Sequence, residues 1–260
     1  MTTPPALLVL SMKGGVGKTT TAIGLGRALL RLGNKVALLD VDIHGSALPR
    51  ALHLEVDPGY ESLRGGKLQP VQCDGFQLFS IGLLLHEDSP NMWKGEMKSS
   101  AVEQVATTSI NWAPDLDWVV VDTPPTSGEE VQSLLEHLPN IFGAVIITQP
   151  NDLSMLGISK TLNLLRETDT PVCGVLVNMA GYTCPHCGVI SNPFDRETED
   201  FQAHAEAFEV PFLGEVPLAG EDIRATALDL VLAQILRDGP VRLPKSKGGI
   251  RRWALQKLIR

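Results

Sequence analysis

Short apolar runs alternate along the chain with longer stretches whose apolar positions recur at helical spacing. The runs Ala6–Leu10, Lys35–Leu39, Phe76–Ile81, Trp118–Val121, Ala144–Thr148, Val172–Asn178 and Phe212–Val216 read as strands. Thr21–Arg31, Ser99–Thr108, Glu129–Leu138, Leu153–Glu167, Phe201–Phe208 and Ala225–Leu236 read as helices between them. Several strands are apolar throughout rather than alternating. That pattern predicts an α/β fold with a mostly parallel sheet covered by helices on both faces. In such sheets ligands bind beyond the carboxyl ends of the strands.

The polar residues that interrupt the pattern fall at those ends. Met12-Lys-Gly-Gly-Val-Gly-Lys-Thr-Thr20 lies between the first strand and the first helix. Strand, glycine-rich turn, Lys-Thr, helix is the context of a phosphate-binding loop, which predicts a three-layer P-loop NTPase fold. Glycine lets backbone N–H groups turn inward around phosphate oxygens, and the helix N-terminus adds the positive end of its dipole. The loop residues Gly14, Gly15, Val16, Gly17, Lys18, Thr19 and Thr20 are therefore expected to cradle the phosphates of a nucleotide. Lys18 would reach the β/γ-phosphates and Thr19 would hold Mg2+. Asp122 ends the run Trp118–Val121 and precedes Thr-Pro-Pro, a placement suited to a second Mg2+ ligand and a phosphate-sensing switch.

Cys184-Pro-His-Cys187 is the other chemistry-bearing motif. Two thiolates on one turn face one centre, yet zinc and iron–sulfur clusters usually take four ligands. No second CxxC exists in the chain. A two-fold homodimer would supply the missing pair. A structural zinc at the dimer axis and a redox dithiol are the alternatives. Cys73 and Cys173 are isolated and read as inert thiols.

The loop form KGGVGKTT resembles the deviant Walker A loop of the MinD/ParA/nitrogenase-iron-protein class of ATPases. That resemblance implies that Lys13 reaches across a dimer to the partner's nucleotide and that Asp42 of Asp40-Val-Asp42 orients the attacking water. It also implies that Asp40 sits near the magnesium shell, that Asn178 reads the adenine edge, and that Pro217 packs on the base. Hydrolysis assisted only by an orienting carboxylate is expected to be slow. The ordered segments KGGVGKTT, DVDIHGSALPR, SIGLLLHEDSPNMWKGEMKSSAVEQV, DWVVVDTPPTSGEE, VNMAGYTCPHCG and GEVPLAGEDIR narrow the match. Over roughly residues 6–237 the chain resembles the Mrp/ApbC/Nbp family of iron–sulfur cluster carrier ATPases. The resemblance implies a 4Fe–4S cluster shared between subunits by Cys184 and Cys187 and passed to apo-proteins. Two departures bear on hydrolysis: Thr126 replaces the switch glycine, and Gly45-Ser46-Ala47 stands where Gly-Pro-Ser is common.

Charge and composition refine the reading. The net charge of −8 combines an acidic body with a tail that has no acid after Asp238 and seven basic residues. An acidic body argues against a nucleic-acid platform. Residues 1–237 read as the ATPase domain, and 238–260 as a basic linker and short helix. That helix, 249–260, would touch a protein or a membrane surface, a feature shared with MinD-type positioning ATPases and so the basis of an alternative reading. No run reaches the ~20 apolar residues of a membrane span. No basic region precedes Ala6, so a cytoplasmic protein is expected.

Overall fold

The computed structural model describes residues 3–43, 45–55, 61, 63–84, 102–107, 110–126, 128–184, 186–192, 194 and 197–244. The expected helix 99–108 is described over 102–107. Trp93 with its segment and the tail 249–260 lie outside the described residues.

The central strands are β1 (Ala6–Leu10), β2 (Val36–Asp40), β6 (Phe76–Ser80), β7 (Trp118–Asp122), β8 (Ile141–Thr148), β9 (Val172–Thr183) and β11 (Phe212–Leu218). The minor ones are β3 (Leu63–Arg64), β4 (Lys67–Leu68), β5 (Val71–Cys73) and β10 (Ile190–Ser191). Among the described residues one sheet runs β5-β6-β2-β7-β1-β8-β9. Along that path every pairing is parallel except β5 with β6. β11 joins β9 in parallel, and β10 pairs antiparallel with its last residues. Parallel pairing needs a crossover from one end of the sheet to the other, and the helices supply it. They are α1 (Lys18–Arg31), α2 (Leu48–Ala51), α3 (102–107), α4 (Glu129–His137), α5 (Asp152–Glu167), α6 (Thr198–Ala207) and α7 (Glu221–Asp238).

The two faces of β1 show how the three layers form. Leu7 and Val9 pack with Leu25 and Leu29 of α1 and Leu232 and Ile235 of α7. Leu8 and Leu10 pack with Leu134 of α4, Leu162 and Leu165 of α5 and Phe201 of α6. Side chains alternate across a strand, so a strand buried on both sides must be apolar at every position, as β1 is. The expected parallel sheet with helices on both faces is the observed architecture.

Several boundaries differ from the sequence reading, and three of the differences have a clear physical cause. α1 begins at Lys18 rather than Thr21, because Gly17 (φ +91°) turns the chain straight from the loop into the helix. β9 extends past Asn178 to Thr183, since β11 and β10 give its polar second half backbone partners. The chain after α7 stays on the body for longer than its Pro/Gly/Lys composition suggests. Val241 exchanges two backbone bonds of 2.8 Å with Val172, and Leu243 is buried. Among the described residues no helix is long and apolar enough to cross a membrane.

α1 lies close enough to the sheet that glycine is needed on its inner face. A Cβ on Gly26 would come within 2.9 Å of the Phe76 ring and 3.1 Å of Leu38. Gly26→Val is expected to destabilise the fold by about 1–3 kcal/mol through overpacking. A lowered urea midpoint at unchanged slope would show it.

Candidate functional site

The parallel register brings the ends of β1, β2 and β7 together. Asp122 lies opposite Asp40 on one side and Val9 on the other, so the loop after β1 meets both acids at one edge. Gly15 and Gly17 take φ of +78° and +91°, which curls the loop. A Cβ on Gly14 or Gly15 would meet nothing within 4 Å, so the hollow above them is open. α1 has no acid in its first turn and no side-chain cap, which leaves its leading N–H groups to an anion. α5, by contrast, is capped by Asn151, whose side chain accepts from the Ser154 N–H at 3.1 Å.

Lys18 is only 7% exposed. Burial pulls its pKa below the usual lysine value, against the opposing pull of Asp122 and Asp42. Thr19 Oγ1 donates to Asp122 Oδ2 at 2.5 Å. The other carboxylate oxygen, Oδ1, is buried without a hydrogen-bond partner among the described residues. An orphaned carboxylate oxygen beside a threonine hydroxyl is a hard-oxygen donor set, and it fits Mg2+. Burial, then the neighbouring Asp40, pushes the Asp122 pKa up to about 7.

Asp40 is also fully buried, and burial raises it to about 6. Its oxygens accept from Asp42 N (3.0 Å), Ser46 Oγ (2.7 Å), Ser80 Oγ (3.0 Å) and Leu48 N (3.4 Å). These bonds fold the following loop back over the strand end and hold Asp42 on the Lys18 side. Lys13 is exposed on the loop's outer surface, and among the described residues no ion pair holds it. The switch is tied to β1 by Thr126 N–H to the Ser11 carbonyl (2.8 Å) and Thr123 Oγ1 to the Val9 carbonyl (2.9 Å).

Beside the loop, Thr20, Asn178, Pro217, Leu218 and Arg224 line a cleft. Asn178 Nδ2 donates to the Val16 carbonyl at 2.8 Å, and a Cβ on Gly17 would lie 2.3 Å from that nitrogen. Glycine at 17 therefore serves the contact with β9 as well as the turn.

Cys184 follows directly on β9. Its N–H donates to the Val189 carbonyl and its carbonyl accepts from Gly188 N–H, each at 2.9 Å, which closes a tight turn. The backbone N–H of Cys187, then that of His186, points at the Cys184 sulfur and lowers its pKa. This favours the thiolate, the metal-binding form. Cys187 and His186 are exposed. Among the described residues no three His, Cys, Asp or Glu side chains gather as a metal site. Burial raises Cys73, and it raises Cys173 to about 12, so both favour the unreactive thiol form.

A family model described as the NUBPL iron-transfer P-loop NTPase, within ParA, matches residues 3–233. The chain belongs to that family. An iron–sulfur cluster carrier protein of Methanocaldococcus jannaschii is 36% identical over 236 residues, covering 89% of this chain and 78% of the relative. The cytosolic Fe–S cluster assembly factor nubp2 of Xenopus tropicalis is 37% identical, covering 90% and 83%. Among solved structures, a nucleotide-binding protein from Archaeoglobus fulgidus in complex with ADP superposes with a TM-score of 0.68 at 27% identity, covering 88% and 87%. MinD from Pyrococcus horikoshii shares the fold, with a TM-score of 0.63 at 17% identity over 90% and 96%. As a NUBPL-type P-loop NTPase, the protein has the fold of nucleotide binding and hydrolysis.

The sequence reading placed the nucleotide loop, Asp40, Asp42, Asp122 and Asn178 at strand ends, and the fold gathers them at one edge. It missed Ser46 and Ser80, which hold Asp40 from a loop and a neighbouring strand. It missed Gln149, whose amide reaches Gly15, and Arg224, whose buried Nε has no partner among the described residues. A lone Ser, Gln or Arg carries no spacing signal, and only β-strand order brings these residues to the site.

The carboxyl pKa values fix a pH dependence. A carboxyl whose folded pKa exceeds its unfolded value keeps a proton in the native state that the unfolded chain has released. Its contribution is therefore greatest below about pH 4 and is lost as pH rises through the folded value of about 7. The melting temperature of the nucleotide-free protein should fall between about pH 4 and 7. Asp122→Asn should flatten that fall while abolishing phosphate release. An equally steep fall in the variant would refute the assignment.

Proposed function

We propose that the protein is an ATP-dependent iron–sulfur cluster carrier that works as a homodimer. Each copy supplies Cys184 and Cys187, and the two pairs together hold one 4Fe–4S cluster. The carrying observation is the turn at Cys184, where backbone N–H groups favour a thiolate three positions before the exposed Cys187. Two thiolates fall short of a cluster's usual four, and a two-fold axis closes the gap. The family and its relatives, named as cluster carriers and assembly factors, support the same reading. Transfer would be ligand exchange: client thiolates replace Cys184 and Cys187 on iron one by one, with no net change of electrons.

At the nucleotide end, the loop N–H groups and Lys18 would bind the triphosphate. Thr19 and Asp122 would hold Mg2+, which would neutralise charge between the β- and γ-phosphates. Asp40 would act through the loop it holds, presenting Asp42 to orient water. Asn178, whose Nδ2 is engaged by Val16, would offer its Oδ1 to the adenine amine. Pro217 would pack on the base. Lys13, exposed on the loop, would reach the partner's nucleotide. With Thr126 in the switch and only an orienting carboxylate, ATP turnover would be slow. ATPase and cluster chemistry are assigned to residues 1–237. The protein would work in the cytoplasm.

Anaerobic reconstitution with iron and sulfide should yield about four irons per two chains. Cys184→Ser should lose that cluster, and retention of the same iron and sulfide content would sink the ligand assignment. Zinc in place of iron and sulfide in anaerobically purified protein would instead favour a structural dimer site. Asp42→Ala should cut phosphate release at least about tenfold, since a water-positioning group contributes on that scale. Binding of ATP should survive, as measured by fluorescence titration.

A further inference from the structure

The phosphate loop and the cysteine turn are joined by one strand, and that strand is bent between them. Cys184, just past the end of β9, lies six positions after Asn178, about 20 Å of extended chain. Met179 adopts φ +60° and Gly181 +77°, both in the left-handed region. The pairing of β9 with β11 shifts register across the same stretch, between Val216 opposite Asn178 and Leu218 opposite Tyr182. Glycine takes this conformation freely, but methionine does so against its steric preference. Met179 is therefore held there by its surroundings.

What holds it is the back of the phosphate loop. Gln149 Nε2 lies 2.8 Å from Met179 Sδ and donates to the Gly15 carbonyl at 3.4 Å. Asn178 Nδ2 donates to the next carbonyl, Val16, at 2.8 Å. A Cβ on Gly17 would be 3.8 Å from the Met179 methyl carbon. These carbonyls belong to the same planar peptide units as the N–H groups of Val16 and Gly17. A peptide plane turns as one body. When those N–H groups swing to grip phosphate oxygens, the Gly15 and Val16 carbonyls must swing on the opposite side. Gln149 and Asn178 receive that motion and deliver it to a residue with a second, unstrained backbone conformation within reach.

We propose that Gln149 and Met179 are positioning residues that convey nucleotide occupancy of the loop to the Cys184–Cys187 turn, by switching the bend at 179–181. This rests on the reading that nucleotide binds at the loop and a cluster at the cysteines. It adds the route by which one site acts on the other. The relay needs no direct contact between nucleotide and cluster, and it gives a chemical reason for a left-handed methionine at the hinge. Met179→Gly would remove both the strain and the sulfur. Gln149→Ala would remove the link to the Gly15 carbonyl.

The test uses the full reduced chain in a Cys73→Ser background, with Cys173 protected by burial. Iodoacetamide labelling rates at Cys184 and Cys187 are read site by site by mass spectrometry, with and without a saturating non-hydrolysable ATP analogue and Mg2+. The parent protein should show a nucleotide-dependent rate change of about fivefold or more, the lower range of ordinary site-to-site coupling. Met179→Gly and Gln149→Ala should bind the analogue yet label at the same rate with or without it. Variants that keep the parent's ratio overturn the relay, as they would if dimer burial alone shielded the thiols. A parent protein without nucleotide dependence overturns it too, and so do variants that no longer bind the analogue, which would make these residues ligand contacts. Cluster reconstitution in the parent is scored separately. Its failure counts against the carrier reading, whereas normal reconstitution with unaltered coupling in the variants counts against the relay alone.

Discussion

One buried cation organises the carboxyl edge of the sheet. Lys18 is almost wholly removed from water, and Asp122 and Asp42 act on it electrostatically. Asp40 stands beside Asp122 on the neighbouring strand. Three carboxyl groups around one ammonium leave the edge short of positive charge. Burial, and for Asp122 also the neighbouring Asp40, makes the two buried acids hold their protons more tightly, with pKa values near 6 and 7 rather than near 4. A divalent cation beside Thr19 and Asp122 would relieve that imbalance, and a triphosphate would meet the ammonium. The site is thus costly for the empty protein and complementary to a magnesium nucleotide. This is the usual relation between a functional site and the stability of its fold.

The same edge explains why glycine recurs in the loop. At Gly15 it permits the left-handed turn and leaves an open hollow. At Gly17 it does both that and something less obvious, admitting Asn178 to within contact of the backbone. The loop is therefore shaped on its front by the anion it would bind and on its back by β9. Because β9 runs on into Cys184, the back of the phosphate loop and the cysteine turn are joined by one strand. This contiguity sets the protein apart from an ATPase with an unrelated cysteine pair on its surface.

Much of this was legible from the chain. Uniformly apolar runs such as Trp118–Val121 can only be strands buried on both faces, so the three-layer fold followed from patterning. KGGVGKTT and CPHC carry their chemistry in residue types at fixed local spacing, and local spacing survives in sequence. Asp122 and Asp42 were recognisable because they end such runs. The short strands β5 and β10 were not, since two or three residues are too few to show a period. The linker expected after residue 237 was misjudged at its start for a similar reason. Composition registers Pro, Gly and Lys but not the two backbone bonds that tie Val241 to Val172.

By itself, then, the sequence determined the layered α/β architecture, the phosphate loop with its lysines, the acids at the strand ends and the thiol pair. Each depends on neighbours within a few residues. Only the tertiary structure decided that Asp40 spends its oxygens on Ser46, Ser80 and the backbone instead of standing open like Asp122 Oδ1. Only it placed Gln149 and Met179 behind the phosphate loop, and only it bent β9 on the way to the cysteines. The physical reason is common to all three. Strands distant in the chain become neighbours through a parallel register, and no local pattern encodes which side chains that register will bring into contact.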